Sequence, residues 1–252
     1  MNSQEYFYPE SQFRFPNTSQ ADSPRMSELM DSHRIKDDIK EAYDEIAAEY
    51  LNWTQPSHQV RLLYLEKMLR ELDSAKGNRQ MSILELGCGA GVPCTELLAS
   101  REYFSVTAND ISDTQIAMAK ERLPQSVNLI QGDMMELEFI QEQFDAVVAM
   151  YSILHLPRNE QTVILRRIFN WLKPGGQFVA NFAADEFASL SDQSWLGATK
   201  GTMHWSGWGR EETRKILVDI GFEIAVDEVV VDSEEENGVS HSVPFHWILA
   251  KK

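Results

Sequence analysis

The run Leu84-Glu85-Leu86-Gly87-Cys88-Gly89-Ala90-Gly91 constrains this chain more than any other, because three alternate glycines follow directly on an apolar stretch that begins at Met81. Residues 81–86 read as a short buried parallel strand, and residues 95–100, opened by Val92-Pro93, read as the body of a helix. Strand, glycine turn and helix in that order begin a doubly wound α/β sheet, whose ligands lie at the C-terminal edge of the strands. Glycine lets the backbone bend sharply there and lets a ligand lie against it.

The remaining pattern extends that unit. Periodicity predicts strands over 81–86, 104–109, 127–130, 144–150 and 176–182, with helices over 93–100, 112–122, 159–172 and 210–220. Two closing strands, 222–231 and 243–250, lack a helix between them. The polar run 232–238 joins them and suits an antiparallel hairpin at the sheet edge. Short connections imply a mostly parallel sheet with helices on both faces. Ahead of the sheet, 35–50 has helical spacing, with Ile39, Tyr43, Ile46, Ala47 and Tyr50 on one stripe. A second helix, 58–73, carries Leu62, Leu65, Leu69 and Leu72 on one face. Residues 1–34, rich in Ser, Gln, Pro and Asn, read as a flexible tail. The division expected is therefore a tail at 1–34, a helical N-terminal segment at 35–80, and a main domain at 81–252 with an insertion at 183–210.

Charge and cysteine usage narrow the partners. With 39 acidic against 23 basic residues the formal charge is -16, which repels phosphate backbones and anionic lipid surfaces, so neither nucleic acid nor membrane is an expected partner. No apolar run approaches the roughly 20 residues that span a bilayer, and no basic flank precedes an apolar N-terminal stretch. The only cysteines, Cys88 and Cys94, suggest no disulfide framework. A reducing, cytoplasmic location is the expectation, with no metal site and the oligomeric state left open.

The glycine spacing separates the candidate ligands. A dinucleotide site has G-x-G-x-x-G, whereas here the spacing is G-x-G-x-G, with Val92 where the third glycine would stand. No G-x-x-x-x-G-K-[ST] occurs for a nucleoside triphosphate. Carboxylates at strand ends supply the rest. Asp110 lies about 20 residues beyond the glycines, where a carboxylate accepts from ribose hydroxyls. Asp133, ending the third strand, could accept from an adenine amino group, and Glu85 could face an ammonium group. Such a pocket suits a ligand that carries an adenosine, an amino acid and a cation.

These motifs, together with Ala108-Asn109-Asp110-Ile111-Ser112 and Gln115, Gln131-Gly132-Asp133-Met134, Phe144-Asp145-Ala146-Val147-Val148 and Leu172-Lys173-Pro174-Gly175-Gly176, resemble the class I S-adenosylmethionine-dependent methyltransferases from about residue 43 onward. The resemblance implies a Rossmann-like, seven-stranded, mostly parallel sheet with its last strand antiparallel, N-terminal lid helices, and S-adenosyl-L-methionine as cofactor with S-adenosyl-L-homocysteine as product. It implies that Asp110, with Asn109 and Ile111, holds the ribose, and that Gly132, Asp133 and Met134 frame the adenine. Gly87, Cys88, Gly89 and Gly91 would back the methionine part, with Glu85, Gln115 and Met150 nearby. Tyr43-Asp44-Glu45-Ile46-Ala47-Ala48-Glu49-Tyr50 resembles the family's Y-D-x-x-A-x-x-Y lid helix, whose tyrosines close over the cofactor. Tyr43 and Tyr50 as core aromatics is the competing reading.

The acceptor side is less constrained. Methyl transfer from a sulfonium needs alignment and exclusion of water more than it needs a base. His155, after the fourth strand, is the candidate base, and a histidine that only shapes the loop is an equal alternative. The insertion holds Trp195, Met203, His204, Trp205 and Trp208, which suits either an aromatic lid over an apolar or sulfur-containing acceptor or a satellite hydrophobic cluster. Tyr50, Trp53 and Tyr151 join the candidate acceptor wall. Ala149-Met150-Tyr151-Ser152 lacks the Asp/Asn-Pro-Pro-aromatic motif of nucleic-acid amino-methylating enzymes, which favours a small-molecule substrate. Gly91-Val92-Pro93 and the Phe-x-Trp-x-Leu-Ala-Lys pattern of residues 245–251 resemble microbial small-molecule methyltransferases, a group that includes fungal enzymes that S-methylate dithiol toxins. The expected activity is S- or O-methylation of a small acceptor. A cofactor-binding relative that transfers no methyl group and a protein methyltransferase are the alternatives.

Overall fold

A computed structural model of the chain describes residues 26–75, 77, 79–236 and 239–252. In chain order the elements are α1 (Met26–Trp53), α2 (His58–Ala75), β1 (Met81–Leu86), α3 (Cys94–Ala99), β2 (Phe104–Asp110), α4 (Asp113–Arg122), β3 (Asn128–Gln131), β4 (Phe144–Ala149), α5 (Arg158–Trp171) and β5 (Leu172–Ala183). They continue with β6 (Glu186–Asp192), β7 (Met203–Trp208), α6 (Gly209–Ile220), β8 (Glu223–Glu236) and β9 (Val239–Lys251). Seven strands form one sheet in the order β3-β2-β1-β4-β5-β9-β8, with β9 antiparallel to both neighbours. This is the expected Rossmann-like α/β sheet.

Successive strand side chains point to opposite faces, and the β1 sequence uses both. Ile83 packs with Val106, Val148, Val179 and Trp247 beneath α2, α3 and α4, where Leu65, Met68, Leu98 and Ile116 are buried. Leu84 and Leu86 pack on the other face with Val147, Phe178 and Ile248, against Ile164, Leu165 and Ile168 of α5 and Leu217 of α6. Each of these side chains stabilises the sheet by about 1.5–3 kcal/mol on burial. A third cluster lies outside the sheet and joins Ile39, Ala42, Tyr43 and Ile46 of α1 to Trp195, Ala198 and Met203 of the insertion.

Two expectations are corrected. Residues 26–34, read as part of the tail, are the start of α1. Ser32 on this turn is buried and donates to Glu160 of α5, so polar contacts rather than apolar periodicity hold it. The rest of that tail lies outside the described residues. The run 232–238, read as a loop, continues β8 through Glu236, pairing Asp232 with Val243 and Glu236 with Val239. Strand pairing of β5 with β9 ends at Ala183 and Phe245; beyond it the ladder joins β8 to β9 alone, with the Ala184 amide donating to the Pro244 carbonyl and the Tyr151 hydroxyl to Asp232. The insertion forms an antiparallel ribbon of β6 and β7. Gln161 of α5 anchors it by donating to the Ser206 carbonyl and hydroxyl. No helix among the described residues is long and apolar enough to cross a membrane.

Candidate functional site

Parallel register brings the functional ends together. Leu86 lies beside Asn109, Asn109 beside Ile130, and Glu85 beside Val148, so the turns after β1, β2, β3 and β4 leave one edge of the sheet. At the first turn Gly87 has φ +74, and a Cβ there would lie 2.4 Å from that of Ser152, so no other residue fits. The Gly87 and Cys88 amides both donate to the Asn109 carbonyl, at 2.8 and 2.9 Å. Gly89 N donates to Asp110 Oδ2 at 2.8 Å, and Ser112 N donates to Oδ1 at 3.0 Å. One carboxylate therefore shapes the glycine turn and starts α4. Burial pushes the Asp110 carboxyl up to about 6 against the pull of those amides.

Helix α1 closes this edge and is fastened along its length. Lys36 pairs with Asp133 at 2.6 Å and with Glu160 at 3.2 Å. Lys40 pairs with Asp113 at 2.6 Å. Asp44 accepts from the Ser112 hydroxyl and the Thr114 amide, which satisfies groups at the N-terminus of α4. Glu45 accepts from the Thr199 amide and hydroxyl and the Lys200 amide, which holds the tip of the insertion.

Between α1 and the strand ends lies a pocket. Of the residues expected at a cofactor, Tyr43, Gly87, Cys88, Gly89, Asn109, Asp110, Ile111, Gln115, Asp133 and Met134 line it. Tyr50, Tyr151 and His155 of the expected acceptor wall line it too. Both side-chain polar atoms of Gln115, and the Ser152 hydroxyl beside them, are buried without a hydrogen-bond partner. Buried polar atoms are almost always paired, and these two side chains line the pocket.

Four expected cofactor residues support the pocket from behind instead. Glu85 accepts from the Thr95 hydroxyl at 2.7 Å, and burial pushes its carboxyl up to about 7. A Cβ on Gly91 would meet Leu123, the Gly132 amide donates to the Asp110 carbonyl, and Met150 sulfur lies 3.7 Å from Cys94 sulfur. Trp53, Trp195, Met203 and Trp205 likewise do not line the pocket. Trp195 sits among rings, 5.3 Å from Trp53, 5.5 Å from Trp205, 5.8 Å from Tyr50 and 6.1 Å from Tyr43 between centroids. In this arrangement the insertion backs the wall formed by α1, as a satellite cluster does.

His155 has a defined tautomer. Its Nδ1 lies 2.8 Å from the His204 carbonyl oxygen, which can only accept, so Nδ1 carries the proton. Nε2 is then a lone pair, and the Tyr43 hydroxyl donates to it at 2.9 Å. Burial lowers the His155 pKa to about 4, so the imidazole is neutral at physiological pH.

Arg61 and Lys36 line the pocket and were missed in the sequence. Arg61 Nε donates to the Ser57 hydroxyl at 3.1 Å, and the guanidinium lies 4.2 Å from the centroid of the Tyr151 ring. Its guanidinium also donates to the Tyr50 hydroxyl and feels the Glu85 and Asp232 carboxylates electrostatically. Each residue sits on a buried helical stripe, Arg61 one turn before Leu65 and Lys36 one turn before Ile39. A charge on an apolar stripe is the signal that could have found them. Thr54, Ser152, Leu51 and Leu156 line it as well. Among the described residues no group of three or more His, Cys, Asp or Glu is placed to hold a metal ion.

Residues 83–176 match the family model described as methyltransferase domain. The sterol 24-C-methyltransferase of Debaryomyces hansenii is 30% identical over 183 residues, covering 69% of this chain and 46% of the relative. The chain thus spans about half the length of the curated relatives it matches. Among solved structures, the DhpI complex with SAH superposes with a TM-score of 0.63 at 21% identity, covering 87% of this chain and 97% of that one. The 1,6-didemethyltoxoflavin-N1-methyltransferase of Burkholderia thailandensis, bound to 1,6-didemethyltoxoflavin and S-adenosylhomocysteine, superposes with a TM-score of 0.62 at 16% identity, covering 92% and 93%.

Proposed function

Because the chain belongs to the class I S-adenosylmethionine-dependent methyltransferases, we propose that it transfers a methyl group from S-adenosylmethionine to sulfur or oxygen of a small, largely apolar acceptor. The observation that carries the acceptor class is the neutral His155 ring, whose only basic nitrogen faces the pocket beside Tyr43. An oxygen or sulfur acceptor must lose a proton, and His155 Nε2, with its fixed tautomer, stands at the pocket wall to receive it, although burial weakens it as a base.

The residues present fit the cofactor. Gln115 and Ser152 offer unpaired buried polar atoms, the glycine turn gives close backbone approach, and Asp110 presents a carboxylate between two turns. Asp110 would hold the ribose, Asp133 and Met134 the adenine, and Arg61 the amino-acid carboxylate. When bound, the cofactor supplies an electrophilic methyl group on a sulfonium whose thioether leaves without protonation. Tyr43 and Tyr50, on one face of α1, cover the pocket and exclude water from it. His155 receives the acceptor's proton at Nε2 once the Tyr43 hydroxyl yields that position, and the His204 carbonyl stabilises the resulting imidazolium through Nδ1. The sterol 24-C-methyltransferases it resembles are named for a carbon acceptor, and such an acceptor would give His155 a different task.

Calorimetric titration with S-adenosylhomocysteine tests the cofactor assignment. Saturable 1:1 binding is expected, and no heat of binding at millimolar ligand would overturn it.

A further inference from the structure

Lys36 is 5% exposed, a degree of burial lysine rarely shows without partners. Its Nζ lies 2.6 Å from Asp133 Oδ2 and 3.2 Å from Glu160 Oε1. Both acids are held by other donors as well. The Met135 amide donates to Asp133 Oδ1, and the Ser32 hydroxyl donates to Glu160 Oε1. An ammonium carries three N–H donors. Asp133 takes one, the Glu160 carboxylate, with both oxygens 3.2 Å away, shares the others, and Lys36 lines the same pocket as Asp133.

That geometry changes what the end of β3 can recognise. A lone carboxylate accepts from a 6-amino purine and repels a 6-oxo purine, whose edge atom is itself an acceptor. Here an acceptor and a donor stand side by side, 2.6 Å apart. Resting on the cofactor reading above, we infer that Lys36 is a specificity-determining residue of the base subsite, pairing its ammonium with Asp133 so that the site accepts a 6-oxo as well as a 6-amino purine edge. Lys36 belongs to the helix that closes the pocket, so the same contact ties closure of α1 to the base end of the ligand.

The test is calorimetric titration of the full chain with S-adenosylhomocysteine and with its 6-oxo counterpart, S-inosylhomocysteine. The unsubstituted chain binds both. In Lys36→Met the 6-oxo ligand faces a buried carboxylate without its cation, and the affinity ratio in favour of the 6-amino ligand widens by roughly tenfold or more. In Glu160→Gln, which is isosteric and leaves the ammonium less committed, the ratio narrows, and this variant keeps the test decisive should Lys36→Met fail to fold. Equal weakening of both ligands in Lys36→Met, with no change of ratio in Glu160→Gln, overturns the inference and leaves Lys36 as a fastener of α1. Failure of the unsubstituted chain to bind either ligand overturns the cofactor reading itself, so the two failures are distinguishable.

Discussion

The Tyr43 hydroxyl donates to His155 Nε2 at 2.9 Å, across a sequence separation of 112 residues, and so joins the helix that covers the pocket to the turn that follows β4. The other ring nitrogen is held by the backbone of β7. Three separate elements thus set the orientation and protonation of one imidazole.

His155→Ala is expected to lower kcat for a thiol or hydroxyl acceptor by about 10²–10⁴ while leaving S-adenosylhomocysteine affinity within severalfold of the original, as general-base loss does. Parallel steady-state kinetics and calorimetry separate the two effects. Tyr43→Phe removes the hydroxyl that occupies Nε2 and is expected to alter KM more than kcat.

The pH dependence follows from the depressed His155 pKa. Because burial lowers it to about 4, the base form persists well below the ordinary histidine range. The acidic limb of kcat should therefore fall near pH 4–5 in the unsubstituted chain, provided the fold survives, and not near 6.5. Between 6.5 and about 4 the unfolded chain binds the proton and the folded chain does not, so this group makes stability fall as pH falls through that window. Denaturant midpoints at pH 7 and 5, compared with those of His155→Gln, measure its share.

Arg61→Met is expected to weaken S-adenosylhomocysteine by roughly tenfold to a hundredfold, the range for a lost charge-assisted bond. It should leave 5′-methylthioadenosine, which lacks the amino-acid portion, almost unaffected. Equal loss for both ligands would place Arg61 in packing against Tyr151 instead.

Asp110→Ala leaves the Gly89 and Ser112 amides without their acceptor and removes the proposed ribose contact. A cofactor affinity loss of at least roughly tenfold is expected, with a stability cost of about 1–3 kcal/mol. Denaturant melts and calorimetry on the same preparation give both numbers.

Away from the pocket, Asp145 is held below the usual carboxylate range by Lys173, the Ser82 amide and Arg79, although burial opposes them. A carboxyl depressed in the fold stabilises above its unfolded pKa and loses that contribution as pH falls through its folded value. Asp145→Asn is therefore expected to flatten the loss of stability below pH 4, as read by thermal melts across that range.

The sheet was legible because its strands are unbroken apolar runs and its turns carry glycine and acid at fixed spacing. Leu84, Val147 and Phe178 could hardly lie anywhere but in a core. What escaped depends on contacts without a sequence signature. The first turns of α1 are polar because Ser32 and Lys36 reach Glu160, 124 to 128 residues away. The ribbon of β6 and β7 has mixed burial, and β8 runs on with β9 past the last β5 pairing at Ala183. At the site, Asp110, Gln115, Gly87, Cys88 and Gly89 line one pocket. Glu85 does not, because a residue before the turn points beneath it toward Thr95. The His204 carbonyl that sets the His155 tautomer is a backbone atom, and no side-chain pattern announces it.

The most direct measurement is transfer of label from methyl-labelled S-adenosylmethionine to a panel of small thiols, phenols and carboxylic acids, run with the unsubstituted chain and with His155→Ala. Labelled thioether or ether product, formed by the unsubstituted chain and reduced at least about a hundredfold in the variant, is the predicted result. Tight cofactor binding with no label reaching any sulfur or oxygen acceptor, or equal transfer by both proteins, would contradict it.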